Sequence, residues 1–266
     1  MAEQLSFTVL TLFPDIIKSY MSSSILGRAT ESGVIGLDVI DIRDFSENKH
    51  NRVDDYPYGG GAGMVMEPGP VVSACERAKG LHPDKKSRLI YLSPIGRPFT
   101  QEIAKELARE ESLIFLCGHY EGIDERALTA EVDDYISLGD FVLTGGELPA
   151  LAVMDAVSRL IPGVLNNDES AGEESFENGL LEYPQYTRPE DFKEAKVPEV
   201  LLSGHHANID LWRLAMSLLR TYEHRPDMLE GFILEKLRRR ALLKYIKDND
   251  LFSEEDREII RNILDA

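Results

Sequence analysis

Cysteine is nearly absent: Cys75 and Cys117 stand far apart in 266 residues, without metal-ligand spacing. This excludes a disulfide framework and a cysteine zinc site, and predicts reduced, buried thiols in a cytoplasmic protein. No apolar run approaches the roughly 20 residues that a membrane span needs. The N-terminus lacks a basic patch followed by an apolar stretch, so no secretory signal is expected. Basic residues are outnumbered as well, 29 Lys and Arg against 47 Asp and Glu, which leaves a net charge of −18. Such a field repels phosphate backbones, and nonspecific nucleic-acid affinity comes largely from Lys and Arg. Distribution counts for more than the sum, however. Lys236, Arg238, Arg239, Arg240, Lys244 and Lys247 form a basic block with no acid inside it. Composition therefore neither supports nor excludes an RNA partner. With 43% apolar residues the chain has enough for a real core, in one large domain or two of modest size.

What is present begins with a strand-like run at 7–12, ended by Phe13-Pro14-Asp15. Ile16, Ile17, Tyr20 and Met21 keep helical spacing, and Gly27 or Gly33 is expected to end that helix. A second strand is predicted over 34–42, and strand–helix–strand order implies parallel pairing in an α/β domain. Residues 43–66 show no periodicity and are too long for a simple connector, which points to function or disorder. They mix Lys49, His50, Arg52, Asp54, Asp55, Tyr56 and Tyr58 with Gly59-Gly60-Gly61-Ala62-Gly63. Neither the Gly-Lys-Ser/Thr of a P-loop nor the last glycine of a dinucleotide fingerprint is there.

Further strands are predicted at 88–92, 113–117 and 132–138, running into Pro94, Gly118 and Gly139. Ligands of open α/β sheets sit outside the carboxyl ends of strands, so these three loops predict one convergent site. The stretch 136–165 is its centre. Gly145-Gly146 precedes a helix marked by Leu148, Leu151, Ala152, Met154, Asp155 and Ser158, with Pro162-Gly163 as its stop. Glycines between a strand end and a helix start let backbone amides approach a ligand closely. Beyond Gly163 the composition turns acidic, and Ser170-x-x-Glu173 matches a capping box. Residues 1–163 are thus expected as an α/β domain, 164–189 as a linker and 190–266 as a small all-helical domain. His205-His206 lacks a third metal ligand and reads as a structural turn.

Taken together, these pieces resemble the bacterial tRNA (guanine-N1)-methyltransferases of the SPOUT superfamily. The likeness rests on Phe13-Pro14, Arg43-Asp44-Phe45, Val53-Asp54-Asp55-x-Pro57-Tyr58-Gly59-Gly60-Gly61 and Tyr91-Leu92-Ser93-Pro94. It continues through Cys117-Gly118-x-Tyr120-Glu121-Gly122-Ile123-Asp124-Glu125-Arg126 and Gly145-Gly146-Glu147-Leu148-Pro149-Ala150. Ile161-Pro162-Gly163-Val164, Tyr186-Thr187-Arg188-Pro189 and Leu202-Ser203-Gly204-His205-His206 complete it. The tail after about residue 231 matches only loosely.

That resemblance implies a parallel sheet with a deep C-terminal trefoil knot, an S-adenosyl-L-methionine (AdoMet) pocket and methylation of guanosine 37 beside the anticodon. It also implies an obligate homodimer with the active site at the subunit interface and tRNA across both subunits. The pocket would use Tyr91, Leu92, Pro94, Gly118, Glu121, Leu138, Gly139, Asp140, Phe141, Val142, Leu143, Gly145, Gly146 and Pro149. His50, Arg52, Asp54 and Tyr120 would face the RNA. Mg²⁺ is associated with the family, but no protein ligand set is evident. The family's general base is an Asp directly before Ser-Phe. Here that residue is Glu174, one methylene longer, with Asp168 as the fallback and Arg159 as the arginine that steadies charge on the guanine. Two alternatives stand beside this reading: a doubly wound nucleotide enzyme, and a non-catalytic AdoMet- and RNA-binding member of the same fold.

Overall fold

In a computed structural model describing residues 5–165 and 174–265, the apolar runs become the strands of a parallel sheet. Two compact units, Met1–Asp168 and Glu169–Ala266, divide the chain. The first runs β1 (Leu5–Thr11), α1 (Pro14–Met21), α2 (Ser24–Glu31), β2 (Ile35–Asp41), β3 (Asp54–Asp55) and β4 (Val65–Met66). It continues with α3 (Pro68–Lys79), β5 (Ser87–Pro98), α4 (Gln101–Leu107), β6 (Ser112–Leu116), α5 (Glu125–Glu131), β7 (Asp134–Ser137) and α6 (Glu147–Ser158). Strand order is β2-β1-β6-β5-β7, every pair parallel. Every residue of β1 and β6 is buried, as a sheet covered on both faces requires. One face packs Phe7, Val9, Ile90, Phe115 and Ile136 with Val153, Met154 and Val157 of α6. The other packs Leu10, Leu89, Ile114 and Leu116 with Val71, Ala74 and Cys75 of α3.

Two local readings change. The helix expected up to Gly27 or Gly33 breaks at Ser22 and Ser23, whose hydroxyls both donate to the Ser19 carbonyl, at 3.1 and 2.8 Å. Such back-bonding competes with the helical ladder. Gly27 then sits inside α2, where a Cβ would lie 2.3 Å from the Ser22 carbonyl oxygen, so it permits helix contact rather than stopping a helix. The strand expected to close at Ser93-Pro94 instead continues to Pro98. Its pairing with β7 shifts, so that Leu92 and Arg97 both face Ile136, and Pro94 falls in the irregular stretch where no ladder bond is forfeited. Gly96 passes so close that a Cβ would lie 2.4 Å from the Ile136 nitrogen. Arg88 and Arg97, sharing Glu106 and Asp134 at 2.6–2.9 Å, hold this register shift in place.

The second unit contains a ribbon of β8 (Asp191–Phe192) and β9 (Ala195–Lys196), then α7 (Glu199–Leu202), α8 (His206–His224), α9 (Lys236–Asp248) and α10 (Glu254–Asp265). The ribbon is an addition to the helices expected there, turned by Lys193 and Glu194 at positive φ. Trp212, Ala215, Leu218, Leu242, Ile246 and Ile260 form its core. His206 opens α8, with His205 at the cap position. Among the described residues no helix is long and apolar enough to cross a membrane.

Candidate active site

The loops leaving β6 and β7, together with residues 91–94 in the irregular middle of β5, close around a cavity of about 290 Å³. All the residues expected to hold the cofactor line it except Asp140, which is exposed on the same loop. Tyr120, expected to face RNA, lines it too, as do Ser93, His119, Gly122, Ile136, Ser137 and Thr144.

Glycine makes the walls possible by letting backbone meet backbone. A Cβ on Gly146 would lie 2.7 Å from the Cα of Cys117, and its amide donates to the Gly118 carbonyl at 2.9 Å. A Cβ on Gly118 would lie 2.7 Å from the Tyr91 hydroxyl oxygen. Gly139 holds φ +150, with its amide donating to Ser137 Oγ and its carbonyl accepting from it, each at 3.2 Å. Burial raises the Tyr91 hydroxyl above its ordinary pKa, so it stays protonated as a neutral hydrogen-bonding group. Burial likewise pushes the Cys117 thiol well up, with the Glu147 charge adding to it, and Cys75 up to about 12. Both thiols are free and inert at neutral pH.

The glycine-rich loop at 59–63 is tied to this cavity from outside. Residues 54–55 and 65–66 pair as the β3–β4 ribbon, and the Met66 amide donates to the Gly122 carbonyl at 2.9 Å. The Glu121 amide donates to the Met64 carbonyl at 3.0 Å, and a Cβ on Gly63 would lie 2.4 Å from the Glu121 side chain. Asp54 is half-buried at the ribbon's start, whereas His50 and Arg52 are exposed on the segment before it. None of these three lines the cavity.

Arg159 caps α6 and lines a separate cavity of about 270 Å³ with Tyr20, Ser23 and Asp155. The Tyr20 hydroxyl donates to Asp155 Oδ2 at 2.7 Å, a bond that raises the tyrosine's pKa. Glu174 belongs to the second unit and lines a groove of about 370 Å³ with Tyr183, Asp210, Arg213, Ser217 and Arg238. Its segment folds back on itself: the Phe176 amide donates to the Leu180 carbonyl, and the Glu182 amide to Ser175 Oγ, both at 2.9 Å. The Leu181 amide then donates to Thr221 Oγ1 of α8 at 2.9 Å, and Arg213 lies over the Tyr183 ring at 4.7 Å. Asp168 and the Ser170–Glu173 capping box lie outside the described residues. Among the described residues no group of three or more His, Cys, Asp or Glu is placed to hold a metal. Sequence reasoning assigned Glu147 no role beyond its place in the Gly145–Ala150 motif, yet it is 5% exposed and, among the described residues, the only Asp, Glu, Lys or Arg that is buried. An acid at the first turn of an otherwise apolar helix was its further signal.

A family model described as tRNA (Guanine-1)-methyltransferase TrmD matches residues 5–231. A tRNA (guanine-N(1)-)-methyltransferase of Lachnoclostridium phytofermentans is 52% identical over 263 residues, covering 90% of this chain and 96% of the relative. The protein of the same description from Lachnospira eligens is 58% identical, over 86% of this chain and 97% of its own length. That of Staphylococcus epidermidis strain RP62A is 54% identical, over 90% and 96%.

Proposed function

The chain belongs to the tRNA (guanine-1)-methyltransferase family, and we propose that it transfers a methyl group from AdoMet to N1 of guanosine 37 in tRNA. The observation that carries this reading is the glycine-walled cavity at the irregular middle of β5 and the carboxyl ends of β6 and β7. The cradle suits a bent, polar nucleoside: Gly118, Gly145 and Gly146 line it without side chains, which leaves their backbone amides and carbonyls open to a ligand. Leu138, Phe141 and Pro149 supply apolar contact. The SPOUT trefoil knot belongs to the same reading. Its support is the family match over residues 5–231.

AdoMet supplies an activated methyl on a sulfonium, so the protein's work is orientation and proton management. N1 of guanine carries a proton at neutral pH and is a poor nucleophile until that proton leaves. Glu174 removes it as general base, and the Arg159 guanidinium steadies the negative charge that develops toward O6. His50, Arg52, Asp54 and Tyr120 contact the target guanosine and its neighbour. Residues 164–189 serve as linker and 190–266 as the tRNA-binding domain. The reading assigns Mg²⁺ no protein ligand set. It takes the enzyme as a cytoplasmic homodimer with the active site at the subunit interface. The exposed apolar side chains Phe13, Ile16, Tyr20 and Leu148 favour such a second subunit.

Methyl transfer from labelled AdoMet to a tRNA transcript with guanosines at 36 and 37 tests this directly. The expected result is transfer by the native chain, and its abolition in Glu174→Gln with AdoMet binding kept. Equal transfer in both moves the base elsewhere, and absence of transfer in the native chain overturns the reading.

A further inference from the structure

We infer that Glu147 is a positioning residue for AdoMet binding, a buried carboxylate strut that sets the Gly145-Gly146 wall of the cavity. The inference rests on the reading of that cavity as the AdoMet site. A buried carboxylate costs free energy unless its hydrogen bonds are made, so one placed beside a ligand pocket needs a reason. Here the bonds have a fixed direction. Thr11 Oγ1 accepts the Phe13 amide at 2.8 Å, which leaves its own proton to donate to Glu147 Oε1 at 2.7 Å. The carboxylate is therefore tied to the end of β1, which lies beside β6 in the sheet.

The other oxygen faces the pocket wall. A Cβ on Gly145 would lie 2.4 Å from Glu147 Oε2 and 2.8 Å from His119 Nδ1, so both atoms press on the same face of that glycine. His119 bridges Gly145 through the backbone, its ring meets Phe13 and Tyr120 edge-on, and its buried Nδ1 has no hydrogen-bond partner among the described residues. Gly145 and His119 both line the cavity, whereas Glu147 does not. Glu147 thus acts from behind: it fills the space that a side chain at position 145 would take and holds the glycine pair against Gly118.

The test is AdoMet titration by calorimetry, alongside thermal unfolding and steady-state kinetics. The native chain is compared with Glu147→Ala, Glu147→Gln, Thr11→Val, Gly145→Ala and the Gly145→Ala/Glu147→Ala pair. Glu147→Ala is expected to weaken AdoMet binding about tenfold, the scale of removing one buried hydrogen bond, and to raise KM for AdoMet more than it lowers kcat. Glu147→Gln keeps an oxygen for Thr11 and should recover most of that affinity. Thr11→Val should weaken binding in the same direction, which keeps the inference testable if Glu147→Ala fails to fold. Gly145→Ala should harm binding less in the Glu147→Ala background than alone, because the nearer of its two clash partners has gone and only His119 remains. Unchanged affinity in folded Glu147→Ala and Thr11→Val would overturn the inference, leaving Glu147 a stability residue only. Absence of AdoMet binding by the native chain would instead overturn the reading of the cavity.

Discussion

At the scale of single residues, the departure at position 174 concentrates the chemistry. A glutamate reaches about one carbon–carbon bond further than the aspartate of the family pattern, so its segment must sit differently to present the same oxygen. Glu174 is half-buried, and the fold-back of its segment onto Thr221 gives the backbone little freedom to adjust. With Glu174 as the proposed base, Glu174→Asp is expected to keep a carboxylate but misplace it, lowering single-turnover methyl transfer about tenfold with AdoMet affinity unchanged. Glu174→Gln takes the proposed base away and should cost on the order of 10²–10⁴. If Glu174→Asp matches or exceeds the native rate, the position is not tuned for the longer side chain. Glu174 was singled out in the sequence because it stands directly before Ser175-Phe176. Glu147 was not, because an acid at a helix start reads as a solvated first-turn charge, and only the tertiary fold places β1 and Gly145 around it.

At the scale of elements, the register shift between β5 and β7 is what positions Leu92 and Pro94 as a cavity wall, and its ion network predicts a pH response. The Arg97 guanidinium, followed by that of Arg88, holds the Glu106 carboxyl down to about 2, below the usual carboxylate range. A carboxyl depressed in the folded state stabilises it in full above the unfolded value, and this contribution is lost as pH falls through the folded one. For Glu106 the window runs from the ordinary glutamate value of about 4.3 down to about 2. The side chain is 42% exposed, so salt should weaken the effect. Denaturant unfolding at pH 5 and pH 3 is expected to show a smaller loss of stability in Glu106→Gln than in the native chain. Equal losses would show that the network does not couple to folding. Much of this architecture was legible: apolar runs gave the five sheet strands, and the glycines at their ends gave the cavity loops. Three details were hidden for separate physical reasons. The β5 extension depends on Gly96 fitting against Ile136, the α1–α2 break depends on two serine back-bonds inside a helical pattern, and the two-residue strands β3 and β4 are too short to carry a period.

For the whole molecule, the central difficulty is that a chain of net charge −18 must hold a polyanion. The proposed homodimer offers one test: a charge at Ile16 and at Leu148, both exposed and apolar, should convert that dimer to monomers in sedimentation velocity while AdoMet binding falls with it. A monomeric native chain would remove the two-subunit site. The RNA itself must be met by local positive charge, and α9 is the proposed source of it. Its Leu242, Tyr245 and Ile246 are buried in the second unit's core, which turns Arg238, Arg240, Lys244 and Lys247 outward. Arg239 is committed elsewhere, to an ion pair with Asp265. Because bound phosphates release counterions, breaking an arginine–phosphate ion pair shows in the salt dependence of binding as well as in affinity. Arg238→Glu/Arg240→Glu should therefore weaken tRNA binding and lower the steepness of log K against log salt by roughly one for each phosphate the helix no longer neutralises. AdoMet affinity should not move, since the cavity that would hold it lies wholly in the first unit. Weaker tRNA binding at unchanged salt slope would mean the substitutions disturb the fold of α9 rather than its hold on phosphate. If both affinity and slope stay at native values, the helix is an ordinary solvated face, and the tRNA must draw its positive charge from Arg52 and its neighbours on the loop before β3.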